Sequence, residues 1–163
     1  MAPPVAPPAF RRNLTLVAIL AVVGIILSGY LLYTKFSGAK SFCDFSAEVS
    51  CDAVSQSPYA EFPANSGIPI SGLGVIAFLI FLIPALRLRA GKDFSFLHKA
   101  LSARKVSELL LVWAGFSILF YVYLTYLELF VIYAICPLCV ITFALTIIMT
   151  LLLAQNVRRG GKA

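Results

Sequence analysis

The sequence predicts an all-α membrane protein, a bundle of four transmembrane helices, and three observations carry that prediction. Hydrophobic residues fill 61% of the 163 positions and charged residues only 12%, whereas soluble domains carry roughly a quarter charged residues. Mean hydropathy is +0.96. Four apolar stretches, residues 14–33, 68–86, 109–130 and 136–154, each approach the roughly 20 helical residues needed to cross a hydrocarbon core about 30 Å thick.

Each segment follows in order from its composition. Residues 1–13 form an N-terminus that opens on the Pro-rich run Met1 to Pro8 and is expected to be disordered, because it offers little apolar surface to bury. Arg11 and Arg12 then lead into Leu14–Tyr33. That run, followed by Ser37-Gly38-Ala39, has the outline of a signal peptide. Its apolar part is about 20 residues rather than the usual 7 to 15, so an uncleaved first span is expected. The second span, Ile68–Leu86, begins beside Pro69 and contains Pro84; both are read as helix-shaping residues. Residues 94–105 mix Phe94, Phe96, Leu97 and Leu101 with Lys99, Arg104 and Lys105, the pattern of a short helix lying on a membrane face. His98, the single histidine, falls there and is expected to be a solvated loop residue.

From Leu109 to Ala154 only Glu128 is charged. As one straight helix that stretch would be roughly 69 Å long at about 1.5 Å per residue, more than twice the bilayer, so it must fold back. The turn is expected between Phe130 and Ile135. Glu128, an acid within an apolar span, is a candidate proton carrier, but its nearness to the turn predicts a solvated carboxylate. Residues 155–163 form a short tail.

Charge placement orients the bundle. Of the 13 Lys and Arg residues, all but Lys35 and Lys40 fall before the first span, between the second and third, or after the fourth. The positive-inside rule assigns that side to the cytoplasm, with both termini. The connection from Thr34 to Gly67 carries Asp44, Glu48, Asp52 and Glu61 against its two lysines and faces the opposite compartment. The net charge of +6 is thereby explained by topology and not by nucleic-acid binding.

All four cysteines then share one side: Cys43 and Cys51 in the outward loop, Cys136 and Cys139 at the outward end of the fourth span. An oxidising compartment permits disulfides, and two pairs at one membrane face suit a relay in which a loop pair exchanges with a membrane-embedded pair. In Cys136-Pro137-Leu138-Cys139, Pro137 suits a first helical turn because its missing N–H costs nothing there, which puts Cys136 near the helix N-cap. The positive helix end favours thiolate character at Cys136 and apolar burial opposes it. Cys136 is the better candidate to exchange with the loop, and Cys139, nearly a turn deeper, to face a lipid-soluble oxidant. Closing the Cys43 to Cys51 loop restricts the unfolded chain by about 2 to 3 kcal/mol in the chain-entropy model, so a bridge there suits a shuttle as well as a staple. Static disulfides in a non-catalytic membrane protein, and a four-thiolate metal site, are the other chemistries open to these residues. A closely spaced pair at a helix start and the lack of a nearby histidine favour the relay, with no metal expected.

These residues resemble the vitamin K epoxide reductase family of membrane thiol oxidoreductases. The likeness lies in Cys43-Asp44, Cys51-Asp52 and Ser57 in the first outward loop, Gly67-Ile68-Pro69 leading into the second span, and the Cys136 to Cys139 motif opening the last. The resemblance implies a four-helix bundle around a quinone, ubiquinone or menaquinone, with the loop between helices 1 and 2 folded over it as an extracytoplasmic cap. It implies that Cys43 accepts a mixed disulfide from a reduced partner, freeing Cys51 to attack a Cys136–Cys139 disulfide at Cys136, and that Cys139 passes the electrons to quinone. Ser57 matches a position near the quinone. Ile70 and Phe143 stand where vertebrate members use an Asn and a Tyr to hold the quinone, which favours ordinary quinone over vitamin K epoxide. Phe143, Tyr59, Phe62 and Trp113 are candidate pocket residues. Many bacterial relatives carry a thioredoxin-like domain after the bundle; here the chain stops at Ala163, which implies a separate thioredoxin-like, DsbA-like partner outside a bacterial cytoplasmic membrane. A DsbB-type oxidase also has four spans and two outward cysteine pairs, but there the closely spaced pair comes first.

Overall fold

The computed structural model describes residues 8–64, 66–90 and 103–160. Four long helices, each apolar and long enough to cross a membrane, make it a multi-pass membrane bundle: α1 (Pro8–Ser37), α3 (Ile70–Arg89), α4 (Ala103–Leu127) and α5 (Pro137–Gly160). The short helix α2 (Cys51–Ser55) and a single 3-10 turn, Pro58–Ala60, belong to the connection between α1 and α3.

The helices run past the apolar windows at several ends. Most notably, α1 begins at Pro8, inside the stretch expected to be disordered. Pro8 suits a first helical turn, Phe10 packs on the core and Asn13 is buried, its Nδ2 donating to Asn156 Oδ1 at 2.9 Å. Those contacts supply the ordering that the Pro-rich composition hid. The earlier residues 1–7, most of the expected surface helix with His98 (residues 91–102), and residues 161–163 lie outside the described part.

Small residues set the helix spacing. A Cβ on Gly24 would sit 2.5 Å from the Phe78 ring, and one on Gly74 would sit 2.9 Å from Ser28 Oγ. Glycine at both positions lets α1 and α3 approach closely, the usual route to tight packing between helices in lipid. α1 also packs along α5, and α5 along α4, whereas α3 and α4 scarcely meet. The bundle is therefore closed on three of its four seams. Around Leu14, Val17, Phe81, Met149 and Leu153 the interior is filled by side chains. Thr142, Thr146 and Thr150 each donate their hydroxyl to a carbonyl one turn earlier in α5, at 2.9, 2.9 and 2.7 Å, so these polar groups are satisfied within their own helix.

α4 does not stop cleanly. It runs into a π-helical turn, Glu128–Ile132, that ends where Tyr133 takes a left-handed φ of 57°. The expected turn before the cysteine motif is thus made by Tyr133 to Ile135, and the extra residue per turn re-aims the side chain at its start, Glu128.

Candidate redox site

The connection from Gly38 to Pro69 folds onto the end of the bundle that carries the cysteine motif. Ser50 caps α2, its Oγ accepting from the Ala53 amide at 2.9 Å, and also donates to the Asp44 carboxylate. The Asp52 carboxylate accepts the Ser41 amide at 3.1 and 3.2 Å, and the Tyr30 hydroxyl of α1 accepts the Phe42 amide at 3.1 Å. Farther along, Glu61 accepts the Gly67 amide at 2.8 Å and pairs with Lys35 of α1 at 3.3 Å. Phe62 meets Phe120 of α4 edge to face at 5.5 Å. Polar anchors at one side and aromatic packing at the other thus hold the connection down as a cap.

This cap is also zipped to the motif by backbone. The Ile135 amide donates to Glu48 O at 2.8 Å and the Ser50 amide to Ile135 O at 3.1 Å, a parallel bridge between Val49 and Ile135. The residue after each bridged segment is a cysteine, or nearly so, and the register brings two sulfurs together. Cys43 and Cys51 form a disulfide; Cys136 and Cys139 are free thiols. Cys136 Sγ lies 3.5 Å from Cys51 Sγ, close enough for exchange to need little more than a rotamer change.

The start of α5 prepares Cys136. Its sulfur accepts the Cys139 amide at 3.3 Å, occupying the N-cap role ahead of Pro137. The Cys139 amide and the positive helix end converge there, which is where negative charge on sulfur is best accommodated. Cys43, Cys51 and Cys136 are each at most 1% exposed and form one buried cluster with Leu31 and Leu138.

Beside the sulfurs lies a cavity of about 300 Å³, at the small end of the range for ligand sites. α4 lines it with a helical stripe, Trp113, Phe116, Phe120, Leu124 and Leu127; α3 adds Ile70, Leu73 and Ala77, and the cap adds Val54, Tyr59 and Phe62. Cys51, Cys136 and Cys139 open onto it together with Glu128 and Lys35. The cavity occupies the seam where α3 and α4 fail to meet. Its walls are apolar and aromatic, with redox-capable sulfur at one end, and they fit a flat, lipid-soluble ring.

Three sequence expectations change here. Ser57 does not line the cavity: its hydroxyl turns back to Val54 O at 2.8 Å, and the neighbouring Ser55 faces the space. Phe143 is one position round α5 from Thr142, which does line the cavity; its ring stacks on Tyr121 at 5.4 Å and so acts behind the wall. Glu128 is buried at 5% exposure, where solvation was expected. The π-helical turn rotates it inward, and its Oε2 accepts the Cys136 amide at 3.2 Å. Tyr59, Phe62, Trp113 and Ile70 do line the cavity. Sequence reasoning missed Lys35 as a cavity residue, and no spacing signal marked it.

Among protein-family models, that of the vitamin K epoxide reductase family matches residues 15–154, from the first helix to the end of the cysteine-bearing last one.

Proposed function

The chain belongs to the vitamin K epoxide reductase family, and from that membership and the sulfur geometry we propose that it is a membrane thiol:quinone oxidoreductase that reoxidises a thioredoxin-fold partner. The observation that carries the proposal is the 3.5 Å approach of Cys136 Sγ to Cys51 Sγ while Cys51 is bonded to Cys43.

Two exchanges account for the flow of electrons. A partner dithiol attacks the loop disulfide at Cys43, forming a mixed disulfide and releasing Cys51 as the thiolate. The partner's second thiol then resolves that mixed disulfide, and the partner leaves oxidised. Cys51 attacks a Cys136–Cys139 disulfide at Cys136, releasing Cys139, and Cys43 then attacks Cys51 in the Cys51–Cys136 bridge so formed, releasing Cys136. The loop pair is oxidised again, and Cys136 and Cys139 hold two electrons and two protons. Because Cys43 is buried, access for a partner requires the cap to lift at Phe42, which is 66% exposed beside it.

A quinone in the cavity supplies a two-electron, two-proton acceptor. The residues around it bind an apolar ring by Trp113, Phe116 and Phe120, exclude water by the Phe62 to Phe120 contact, and present Cys139 from α5. Ile70 in the α3 wall offers no amide to an oxygen, which suits ubiquinone or menaquinone better than an epoxide. The gap between α3 and α4 gives such a molecule a way in from the bilayer. In this reading the cysteines face the outside of a bacterial cytoplasmic membrane, with both termini inside, a placement that the charge asymmetry supports.

The test is quinone reduction by the purified protein with a reduced thioredoxin-fold partner, comparing wild type with Cys139→Ala. Turnover by wild type that the variant lacks supports the reading. If wild type reduces neither ubiquinone nor menaquinone with a protein or a small dithiol as donor, the enzyme reading falls.

A further inference from the structure

The buried acid beside the sulfurs is the feature that the relay leaves unused. Glu128 is 5% exposed and lines the cavity with Cys136 and Cys139. Its Oε2 accepts the Cys136 amide at 3.2 Å, and Cys139, whose amide donates to the Cys136 sulfur, shares the cavity wall with it. The ion pairs formed among the described residues, Lys35 with Glu61 and Arg104 with Glu108, do not include it. A carboxylate carried into an apolar interior without a cation is costly unless it has work there. The chemistry beside it has such work, because two thiol protons must leave sulfur and reach an acceptor in a cavity with apolar walls.

We propose that Glu128 is the proton carrier between the Cys136/Cys139 dithiol and the electron acceptor in the cavity. The inference rests on the reading of that cavity as a quinone site. The Cys139 S–H proton passes to the Glu128 carboxylate. The Cys139 thiolate gives up an electron pair as Cys136 sulfur bonds to it, and Glu128 returns the proton to a quinone oxygen. The Cys136 proton follows through the same carboxylate, whose Oε2 already faces the Cys136 backbone. Two thiols become one disulfide, the acceptor gains two electrons and two protons as a quinol, and Glu128 ends as the carboxylate that began.

The other ionisable groups at the cavity leave this role to Glu128. Lys35 of α1 is committed to Glu61. Tyr121 of α4 stacks on Phe143 of α5, and Tyr59 of the cap is 41% exposed at the outer edge of the site. Cys51 of α2 is in the disulfide, and α3 contributes no ionisable side chain to the lining.

Glu128→Gln tests the proposal, since a glutamine oxygen still accepts the Cys136 amide and preserves the local fold. The first readout needs no quinone: the rate at which iodoacetamide alkylates Cys139 in fully reduced protein, followed against pH by fragment mass spectrometry. When the thiol proton is shared with Glu128 inside the protein, the rate stays flat across neutral pH. In the Gln variant it falls tenfold per pH unit below the thiol's own ionisation. The second readout is turnover, expected to drop by about 10²-fold or more, the usual share of positioned acid–base catalysis, with the Cys51 to Cys136 exchange unchanged. Equal pH slopes in both proteins, or wild-type turnover by the variant, would overturn the proposal and leave the proposed function standing. If wild type reduces no quinone, the proposed function falls, while the alkylation profiles still decide whether Glu128 and Cys139 share a proton.

Discussion

At one end of the bundle Leu14, Val17, Phe81, Met149 and Leu153 close the space between the helices. At the other, the same helices part around a cavity of about 300 Å³, and the buried cluster consists largely of cysteines. The filled end is built from the close approach of Gly24 to Phe78 and from interlocking side chains, so its geometry is set by packing density. The hollow end is held by a disulfide, a backbone bridge and a few polar anchors in the cap. Helix packing at the first end thus fixes where α4 and α5 stand, and the second end can remain open and reactive without loss of the fold. The difference separates the residues that keep the structure from those proposed to do chemistry, and it is open to test one residue at a time.

Removing a sulfur should give the largest effect and should be confined to the hollow end. Cys51→Ser keeps the side chain small and polar but cuts the path between the pairs. Quinone reduction with a protein dithiol as donor should fall to background, while reduced small dithiols that reach Cys136 and Cys139 directly retain some turnover. Equal loss with both donors would mean that Cys51 holds the site together and does not carry electrons.

The complementary change is Phe81→Ala at the filled end. Phe81 is 1% exposed, and its loss should cost roughly 2–4 kcal/mol, near the lower side of values for buried Phe because unfolded helices in lipid keep apolar surroundings. Chemical denaturation in detergent would measure it, with activity per folded molecule unchanged. Phe120→Ala, at the cavity, should do the reverse: little loss of stability and weakened quinone use. If both variants lose stability alike, the division of labour between the ends is wrong.

A smaller effect is expected at Trp113, whose indole N–H is buried with no hydrogen-bond partner among the described residues while the ring lines the cavity. A buried donor left unpaired is costly, and a ligand carbonyl would satisfy it. Trp113→Phe removes the donor and keeps most of the ring. KM for quinone should rise about tenfold, the equivalent of one hydrogen bond of roughly 1.4 kcal/mol, with kcat little changed. An unchanged KM would place the ring in the wall without a polar role.

Much of this was legible in the sequence because it depends on composition and spacing. Apolar runs long enough to span, the hairpin forced between Leu109 and Ala154, and the clustering of all four cysteines at one end follow from residue order alone. What was not legible depends on local backbone geometry. Glu128 was identified as a candidate, but its burial comes from a π-helical turn, and one extra residue per turn leaves no mark in an apolar pattern with a period near 3.6. The same limit applies to Ser57 and Phe143. For Phe143, being next to a cavity residue says little about facing the cavity, since adjacent helical positions point about 100° apart; for Ser57, the hydroxyl is taken by the Val54 carbonyl. The helical start at Pro8 was masked for a different reason: its stabilisation comes from Asn156, at the far end of the chain.

The cap offers the finest test of how lightly the hollow end is held. Glu61 is bound by the Gly67 amide and by Lys35, and these, the amide first, hold its carboxyl below the ordinary glutamate range. A carboxyl depressed in the folded state adds stability that is fully present above the unfolded value of about 4.3 and is lost as pH falls through the lower folded value. Acidification from neutral pH should therefore leave the cap anchored until that window and loosen it within. Amide hydrogen exchange at Gly67 and Ile68, corrected for its intrinsic pH dependence, would report the change as faster opening. Glu61→Gln should open the cap at every pH and abolish the acid step, with no effect on the packing around Phe81. Because the pair stays partly open to solvent, its effect is the smallest of the set. If the acid step persists in the variant, another carboxylate is its source; if the variant opens no faster than wild type, the cap is held at this edge by the aromatic contact of Phe62 with Phe120 and not by charge.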